Sequence, residues 1–282
     1  MSDFFNQALQ KLVNTGIKNP RLEIRLLLAA VLRCSPSFIF SDVVLTSEQK
    51  KLFDSLLAQR LQHKPIDKIL KHREFYKADF MVDENVLSPR ADTEILVEEA
   101  LRLLPNENVN ILDLGTGSGC IIESILLEKD RAIGVAVDIS ERSLIVAQKN
   151  ADALNLNSRL NFIRADWFDD KIVKIIGQEF DMIISNPPYI PTGDIATLMP
   201  EVKNYDPLTA LDGGSDGYDS YKRIAEIAPH LLKYEGYLLL EAGYGQAQKI
   251  VDICTVYGLI HHKTVADLNG IARCVIMQKP SH

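Results

Sequence analysis

Apolar side chains recur at helical spacing over the first seventy residues. They fall every three or four positions between residues 4 and 12, and a denser apolar run between residues 22 and 32 is typical of a helix buried on most sides. Thr46-Ser47-Glu48 has the composition of a helix start and precedes another apolar stripe, between residues 52 and 61. The pattern predicts a small helical bundle. Because the segment holds no catalytic constellation, we expect a recognition or docking module.

A loose alternation of apolar and polar residues replaces the helical pattern between residues 74 and 90. The alternation runs around Asp83-Glu84-Asn85, which predicts a β-hairpin. Asp92-Thr93-Glu94 then opens an amphipathic helix, with acidic residues in its first turn as the helix dipole favours. We therefore expect a helical docking domain at residues 1–73, a hairpin linker at 74–90, and a second domain at 91–282.

The rest of the chain alternates strand patterns with helix patterns. The predicted strands are residues 109–114, 132–137, 160–164, 180–184, 236–240, 259–265 and 274–278, and the predicted helices are residues 119–129, 141–154, 216–233 and 246–257. Such alternation predicts an α/β domain with a mainly parallel, doubly wound, seven-stranded sheet covered by helices on both faces. Ligands bind such sheets at the carboxyl ends of the strands. The residues that follow each strand are therefore the candidates for chemistry.

Composition sets the broad class of the protein. The chain has 282 residues, 46% hydrophobic and 24% charged, which is enough for about two domains with apolar cores. No apolar run approaches the ~18 residues of a membrane span, and the amino terminus lacks the charged-then-apolar pattern of a signal peptide. The default expectation is a soluble, cytoplasmic, monomeric protein without a membrane partner.

Charge and cysteine placement narrow the class further. Residues 1–74 carry twelve Lys and Arg and seven Asp and Glu, a net charge of +5, whereas residues 75–282 have a net charge of −12. The acidic remainder argues against a large nucleic-acid groove there. The four cysteines are widely spaced and no pair has metal-ligand spacing, so we expect neither a disulfide nor a bound metal.

A glycine-rich turn follows the first predicted strand of the sheet. In Asp113-Leu114-Gly115-Thr116-Gly117-Ser118-Gly119, glycines allow a tight turn and close approach of a ligand, and the helix that follows offers free backbone N–H groups. Cys120 occupies the position of the third glycine of the dinucleotide fingerprint. The turn alone is a weak signal, and a purely structural strand-to-helix connection is the less favoured alternative.

Acidic residues end the next two predicted strands. Asp138 stands where a carboxylate accepts hydrogen bonds from both hydroxyls of a ribose. A helix N-cap is its alternative role, although Ser140 is the better cap candidate. Asp166 follows the third strand and can accept a hydrogen bond from an adenine amino group. Trp167, the single tryptophan, either packs on that ring or belongs to the core.

Asn186-Pro187-Pro188-Tyr189 follows the fourth predicted strand. Two consecutive prolines cannot continue a central strand, so the chain leaves the sheet in a stiff, extended conformation. An ordinary proline-rich loop explains this stretch as well as a binding site does when it is taken alone. With the three preceding strand ends, however, it completes one ligand site.

This combination resembles the class I S-adenosylmethionine-dependent methyltransferases that modify planar amino or amide nitrogens. Four longer stretches are similar to the release factor glutamine methyltransferase family. They are Val86-Leu87-Ser88-Pro89-Arg90-Ala91-Asp92-Thr93-Glu94, Asn186-Pro187-Pro188-Tyr189-Ile190-Pro191, Ala210-Leu211-Asp212-Gly213-Gly214-Ser215-Asp216-Gly217 and Leu240-Glu241-Ala242-Gly243-Tyr244-Gly245-Gln246. The chain departs from the family at residues 70–74, where relatives usually carry a glycine, and at Ala91-Asp92, where they carry Pro-Glu or Pro-Asp.

The resemblance implies a Rossmann-like methyltransferase sheet whose last strand is inserted antiparallel. It also implies methylation of the side-chain amide nitrogen of the glutamine in the Gly-Gly-Gln motif of class I peptide chain release factors, with S-adenosylmethionine as cofactor. The expected cofactor-binding residues are Gly115, Thr116, Gly117, Ser118, Gly119, Asp138, Asp166, Trp167 and Asn186. The expected substrate-binding residues are Asn186, Pro187, Pro188 and Tyr189, of which Asn186, Pro187 and Tyr189 carry the chemistry.

The chemistry of this stretch can be argued from its residues. An amide nitrogen is a poor nucleophile because its lone pair is delocalised into the carbonyl group, so the enzyme must orient it. The side-chain oxygen of Asn186 and the carbonyl of Pro187 can accept its two N–H hydrogens, which aims the nitrogen at a methyl donor. Tyr189 would pack on the flat amide. A strong base is unnecessary because the methylated amide loses its proton readily.

Three other functions share part of this pattern. A methyltransferase of exocyclic amino groups of adenine or guanine in nucleic acid could use the same Asn-Pro-Pro-Tyr stretch, because those nitrogens are also planar and conjugated. The net negative charge of residues 75–282 argues against binding of nucleic acid. A catalytically silent adaptor is opposed by the intact stretch at residues 186–189. A dehydrogenase is opposed by Cys120 at the fingerprint position.

Overall fold

The computed structural model of the protein describes residues 3–39 and 43–281. The ends of the predicted domains at Met1, Ser2 and His282 lie outside these ranges. The described chain divides into two compact units. Of the described residues, those up to His72 together with residues 199–205 form the first unit, and residues 73–198 and 206–281 form the second.

The first unit is helical, as its apolar spacing predicts. Its helices are α1 Asp3–Asn14, α2 Pro20–Leu32, α3 Ser47–Leu61 and α4 Ile66–Leu70. Thr46 caps α3, because its hydroxyl accepts the Gln49 backbone N–H at 3.2 Å while Gln49 Oε1 accepts the Thr46 backbone N–H at 2.9 Å. Buried apolar side chains from all four helices form one core.

A buried arginine fixes the polar side of the first unit. The Arg60 guanidinium binds both carboxylate oxygens of Glu23 and lies 3.4 Å from Oε1 of Glu201. Glu201 comes from the returning segment, residues 199–205, which contains the short helix α9 Pro200–Lys203. His63 contacts the same Glu201 oxygen at 3.2 Å. Arg60 is only 5% exposed, so its charge needs these carboxylate partners.

A seven-stranded sheet forms the centre of the second unit. After the two-stranded hairpin of β1 His72–Phe75 and β2 Ala78–Met81, the sheet strands are β3 Val109–Leu114, β4 Ala132–Asp138, β5 Leu160–Arg164, β6 Phe180–Ser185, β7 Leu232–Glu241, β8 Ile260–Ala266 and β9 Ala272–Gln278. Their order is β5-β4-β3-β6-β7-β9-β8. Strands β3 to β7 pair in parallel, and β9 lies antiparallel between β7 and β8. The antiparallel insertion of the last strand is thereby confirmed.

Helices cover both faces of this sheet. They are α5 Glu94–Leu103, α6 Cys120–Glu128, α7 Glu141–Ala153, α8 Ile172–Ile176, α10 Asp219–Leu231 and α11 Ala247–Val256. Alternate residues of β3 belong to opposite cores: Ile111 packs with α5 and α6, whereas Leu112 packs with α10 and α11. The predicted doubly wound α/β fold is confirmed. Within the described ranges, no helix combines the length and apolarity needed to cross a membrane.

The position of the predicted hairpin turn is wrong. The strands turn at Tyr76-Lys77, where Tyr76 has a positive φ of 54°, whereas Asp83 and Asn85 form a side-chain-stabilised turn further along the chain. Tyrosine rarely adopts positive φ, so the sequence carries no turn signal at residue 76. The predicted helix 216–233 is also too long, since α10 ends at Leu231 and β7 begins at the next residue.

Candidate active site

A cavity of about 500 Å³ opens at the carboxyl ends of β3, β4, β5 and β6. Its walls come from the strand ends, from residues 85–93 ahead of α5, and from residues 207–214. The predicted site residues that line it are Gly115, Thr116, Gly117, Ser118, Asp138, Asp166, Trp167, Asn186 and Pro188. Of the predicted residues, all of which the structure describes, Gly119, Pro187 and Tyr189 do not line the cavity.

The glycine-rich turn is held against the neighbouring strand. The backbone N–H groups of Gly115 and Thr116 both donate to the carbonyl oxygen of Val137, at 2.8 and 3.0 Å. Gly115, Gly117 and Gly119 all have positive φ, a conformation that favours glycine. A Cβ atom added to Gly115 would lie 3.0 Å from the Trp167 ring. Glycine at 115 therefore lets the turn approach the indole closely.

Asp138 is fixed by the backbone on both sides. Its Oδ2 accepts the N–H of Gly117 at 2.9 Å, and its Oδ1 accepts the N–H of Ser140 at 2.9 Å. Ser140 caps α7, as predicted, by accepting the N–H of Ser143 at 3.2 Å. Burial raises the pKa of Asp138, and these backbone hydrogen bonds oppose the rise. The carboxylate is thus aimed into the cavity by two donors that leave further lone pairs free.

A second buried carboxylate lies behind the glycine turn. Asp113 accepts the hydroxyl hydrogen of Thr116 at 2.8 Å through Oδ2. Burial raises its pKa to about 7, and the bond to Thr116 opposes the rise. Oδ1 of Asp113 has no hydrogen-bond partner among the described residues. Asp113 does not line the cavity, so its effect on a ligand there is indirect.

Apolar groups form the side of the cavity at the β5 end. Trp167 is half-buried and packs against the core, so both roles considered for it from the sequence are compatible with its position. Asp166 Oδ1 accepts the N–H of Phe168 at 2.8 Å. Ile139 and Phe168 line the cavity and are about half exposed, 50% and 52%. Sequence reasoning missed these two, because a lone apolar residue beside a strand end carries no distinct signal.

Three side chains meet at the carboxyl ends of β6 and β7. Thr93 Oγ1 donates to Oε2 of Glu241 at 2.6 Å, and Nδ2 of Asn186 lies 3.4 Å from the same Thr93 oxygen. Thr93 and Glu241 are 3% and 2% exposed. Burial raises the pKa of Glu241 to about 7, and its hydrogen bond to Thr93 opposes the rise. Neither residue had a predicted role.

The backbone after Asn186 is held by the second glycine-rich stretch. Ile190 donates its N–H to Leu211 at 3.0 Å and accepts the Gly213 N–H at 2.8 Å. A Cβ atom on Gly213 would lie 2.8 Å from the Cα of Tyr189. The Tyr189 carbonyl accepts a hydrogen bond from Nε2 of Gln246 at 3.0 Å. These contacts join the stretches at 186–191, 210–217 and 240–246 in space.

Tyr189 is a neutral phenol in this setting. Burial, assisted by the nearby Glu241, raises its pKa to about 12. The side chain therefore does not serve as a base near neutral pH. Packing is the role that remains for its ring.

Comparison with known proteins places this site in a family. A release factor glutamine methyltransferase of Rhodospirillum rubrum is 41% identical over 266 residues, which is 94% of this chain and 80% of the relative. One of Geobacter sulfurreducens is 39% identical over 94% of this chain and 91% of its own length. The chain belongs to the release factor glutamine methyltransferase family. Family models match as well: the PrmC N-terminal domain at residues 3–70 and the methyltransferase small domain at residues 88–199.

A solved structure supports the fold of this family member. The crystal structure of a methyltransferase from Pyrococcus furiosus superimposes with a TM-score of 0.54, covering 81% of this chain and 100% of that chain at 17% identity. The match shows a common fold and no more. The methyltransferase small domain at residues 88–199 indicates an enzyme that uses a methyl donor of the S-adenosylmethionine type.

Proposed function

We propose that this protein methylates the side-chain amide nitrogen of the glutamine in the Gly-Gly-Gln motif of class I peptide chain release factors, with S-adenosylmethionine as methyl donor. The observation that carries the proposal is Asn186, which lines the cavity at the end of β6 with its amide nitrogen directed at Thr93. Relatives at 41% and 39% identity are named for this reaction. Release factors act on the ribosome, so the reaction would take place in the cytoplasm.

The cavity fits the proposed cofactor. Its volume of about 500 Å³ lies within the range of ligand pockets, roughly 300–1,000 Å³. Asp138 would accept the ribose hydroxyls through the lone pairs that Gly117 and Ser140 leave free. Gly115 and Gly117, which both line the cavity, would lie against the amino-acid part of the cofactor. The lining thus offers an acceptor for the ribose and a close backbone approach for the amino-acid part of the cofactor.

The adenine end of the cofactor would occupy the apolar side of the cavity. Ile139, Trp167 and Phe168 supply apolar surface there, and Asp166 retains an oxygen to accept a hydrogen bond from the adenine amino group. The cofactor supplies a methyl group on a positively charged sulfur. Transfer removes that charge, so a dry, apolar site favours the transition state over the ground state.

Asn186 and Pro187 would orient the glutamine. With Nδ2 of Asn186 facing Thr93, its Oδ1 is left to accept one N–H hydrogen of the substrate amide. Pro187 does not itself line the cavity but stands between Asn186 and Pro188, which do, and its carbonyl would accept the other hydrogen. Pro187 and Pro188 are buried and rigid, which holds that carbonyl still. Such orientation is worth roughly 7–11 kcal/mol in well-aligned reactions, which makes positioning the dominant contribution. Among the described residues lining the cavity there is no histidine, in keeping with a reaction that needs no strong base.

The helical unit would bind the body of the release factor. Residues 1–74 have a net charge of +5, whereas residues 75–282 have a net charge of −12. The family model of the helical unit is separate from that of the methyltransferase domain. We accordingly treat residues 1–73 as a docking domain, 74–90 as a linker and 91–282 as the catalytic domain.

Mass spectrometry tests the proposal directly. The purified protein is incubated with a class I release factor and S-adenosylmethionine, and the glutamine peptide should gain the mass of one methyl group. Asn186→Ala should abolish this gain while cofactor affinity stays nearly unchanged, whereas Asn108→Ala, at an exposed position, should behave like wild type. Methylation of nucleic acid instead of the peptide, or near-normal turnover by Asn186→Ala, would refute the proposal.

A further inference from the structure

Sheet register brings Asn186 and Glu241 together. Strands β6 and β7 are parallel neighbours in which Ser185 is paired with Leu240, so the next residues, Asn186 just after β6 and Glu241 at the end of β7, lie side by side. Thr93 reaches them from the turn that precedes α5. The three side chains form a chain of contacts, from Asn186 Nδ2 through Thr93 Oγ1 to Glu241 Oε2, at 3.4 and 2.6 Å.

The order of donors and acceptors along these contacts is fixed by chemistry. An ionised carboxylate accepts hydrogen bonds only, and a threonine hydroxyl has a single hydrogen to donate. Thr93 donates that hydrogen to Glu241 in the short hydrogen bond, so only a lone pair of the Thr93 oxygen faces Asn186. A side-chain amide can meet a lone pair only with its NH₂ group. The Asn186 oxygen is therefore turned away from Thr93.

The surroundings make this arrangement hard to replace. Thr93 and Glu241 are almost fully buried, so bulk water cannot substitute for either partner. Tyr221 donates its hydroxyl hydrogen to the backbone carbonyl of Glu241 at 2.7 Å, which fixes the strand end. Arg90 and Arg273 lie near enough to favour the charged form of Glu241. A buried carboxylate is costly, and packing alone gives no reason for one here.

We propose that Thr93 and Glu241 are positioning residues, which hold the Asn186 amide with its oxygen towards the substrate glutamine. The inference rests on the proposed function, because it assigns the direction in which Asn186 binds an amide. With the amide reversed, Asn186 would present N–H hydrogens to the N–H hydrogens of the glutamine. The productive hydrogen bond would then be lost, although the cofactor would still bind.

Substitution of Thr93 separates this role from simple packing. Thr93→Val keeps the shape but removes the hydroxyl group, and Thr93→Ser keeps the hydroxyl group. We expect kcat for release factor methylation to fall at least tenfold in Thr93→Val, with cofactor Kd close to that of wild type and a lower Tm, because Glu241 loses a buried hydrogen-bond donor. Thr93→Ser should stay within about threefold of wild type in kcat. Thr255→Val, at an exposed position of α11, is the matched control.

A second measurement does not depend on the substrate. The side-chain NH₂ signals of Asn186 in a ¹H–¹⁵N NMR spectrum can be assigned by their loss in Asn186→Ala. They should shift in Thr93→Val and in Glu241→Gln, and remain near their wild-type positions in Thr93→Ser and Thr255→Val. Glu241→Gln provides the test if Thr93→Val does not fold, since its amide can donate to Thr93 and release the hydroxyl hydrogen.

The outcomes distinguish the two proposals. If wild type leaves the glutamine unmethylated but the NMR signals shift as expected, the positioning of Asn186 stands and the substrate assignment fails. If wild type methylates the glutamine and Thr93→Val matches Thr93→Ser in kcat and in the Asn186 signals, the positioning role is refuted. A Thr93→Val defect confined to cofactor Kd or KM would refute it as well.

Discussion

Gly117 donates its backbone N–H to Oδ2 of Asp138 at 2.9 Å, although the two residues follow different strands of the sheet: Gly117 lies after β3, and Asp138 is the last residue of β4. The bond joins the glycine-rich turn after β3 to the acidic residue at the end of β4. Both residues line the same cavity. A change at Asp138 should therefore disturb the turn as well as the proposed ribose contact.

Asp138→Ala should weaken cofactor binding strongly. It removes the acceptor for the ribose hydroxyls and for Gly117, and the loss of one hydrogen bond to a charged group costs about 1.5–3 kcal/mol. We expect Kd for S-adenosylhomocysteine, measured by titration calorimetry, to rise roughly 10–100-fold. Asp130→Ala, at an exposed position, is the control. An unchanged Kd in Asp138→Ala would remove this residue from the proposed site.

Gly115→Ala should also impair cofactor binding, for a steric reason. The added Cβ would lie 3.0 Å from the Trp167 ring, and the φ of 78° is strained for alanine by about 1–2 kcal/mol. We expect a lower Tm and a cofactor Kd raised at least tenfold. Gly193→Ala is the matched control, because its Cβ would meet no atom within 4 Å. Equal behaviour of the two variants would show that the turn tolerates a side chain.

The strand ends could be read from the sequence because their signals are local. Strand β3 and the glycines after it, or β6 and the prolines after it, are each contained in about ten residues. The order of the strands in the sheet was not predicted from the sequence pattern, and the antiparallel last strand was predicted only from the family resemblance. The hairpin turn at Tyr76 was misplaced because a tyrosine at positive φ gives no turn signal.

Long-range contacts account for the site residues that the sequence did not indicate. Thr93 looks like an ordinary residue at a helix start, and Glu241 like the end of a strand. Their partnership joins positions 148 residues apart and depends on the pairing of β6 with β7. Glu123 is a similar case, since helical periodicity does not reveal that a glutamate is fully buried.

Glu241 should give the reaction a pH dependence. Its pKa is raised to about 7, chiefly by burial, so the carboxylate is lost as pH falls through that value. A protonated Glu241 can donate to Thr93, which frees the Asn186 amide to reverse. The titratable and charged groups around Glu241 are Arg90, Asp92, Cys120, Tyr189, Tyr221, Arg273 and Cys274. We expect kcat to rise with pH through about 7.

Two variants identify the group responsible for this rise. Asp113 also has a pKa raised to about 7 by burial, so it is the competing source. Glu241→Gln should flatten the kcat profile between pH 6 and 8, whereas Asp113→Asn should retain the rise. The reverse result would assign the ionisation to Asp113 and remove the pH argument for Glu241. The profiles are measured at saturating release factor and cofactor.

Glu123 should make stability fall as pH rises. Its side chain is fully buried in α6, and neither carboxylate oxygen has a hydrogen-bond partner in the described part of the chain. Burial raises its pKa well above that of an exposed glutamate, with further contributions from Asp113 and Asp152. The folded state therefore binds a proton more tightly than the unfolded state. Above the unfolded pKa, this group removes up to about 1.4 kcal/mol of stability per pH unit until its folded pKa is reached.

Glu123→Gln should abolish this contribution, since glutamine has nearly the same shape and does not ionise. The two proteins should have similar free energies of unfolding near pH 5, and the variant should be the more stable by a growing margin at pH 6.5 and pH 8. Urea denaturation at the three pH values measures this difference, in which the contribution of Glu241 cancels because both proteins share it. Glu179→Gln, at an exposed position, should give a constant difference. Parallel curves for Glu123→Gln and wild type would mean that Glu123 ionises in the folded protein as readily as in the unfolded chain.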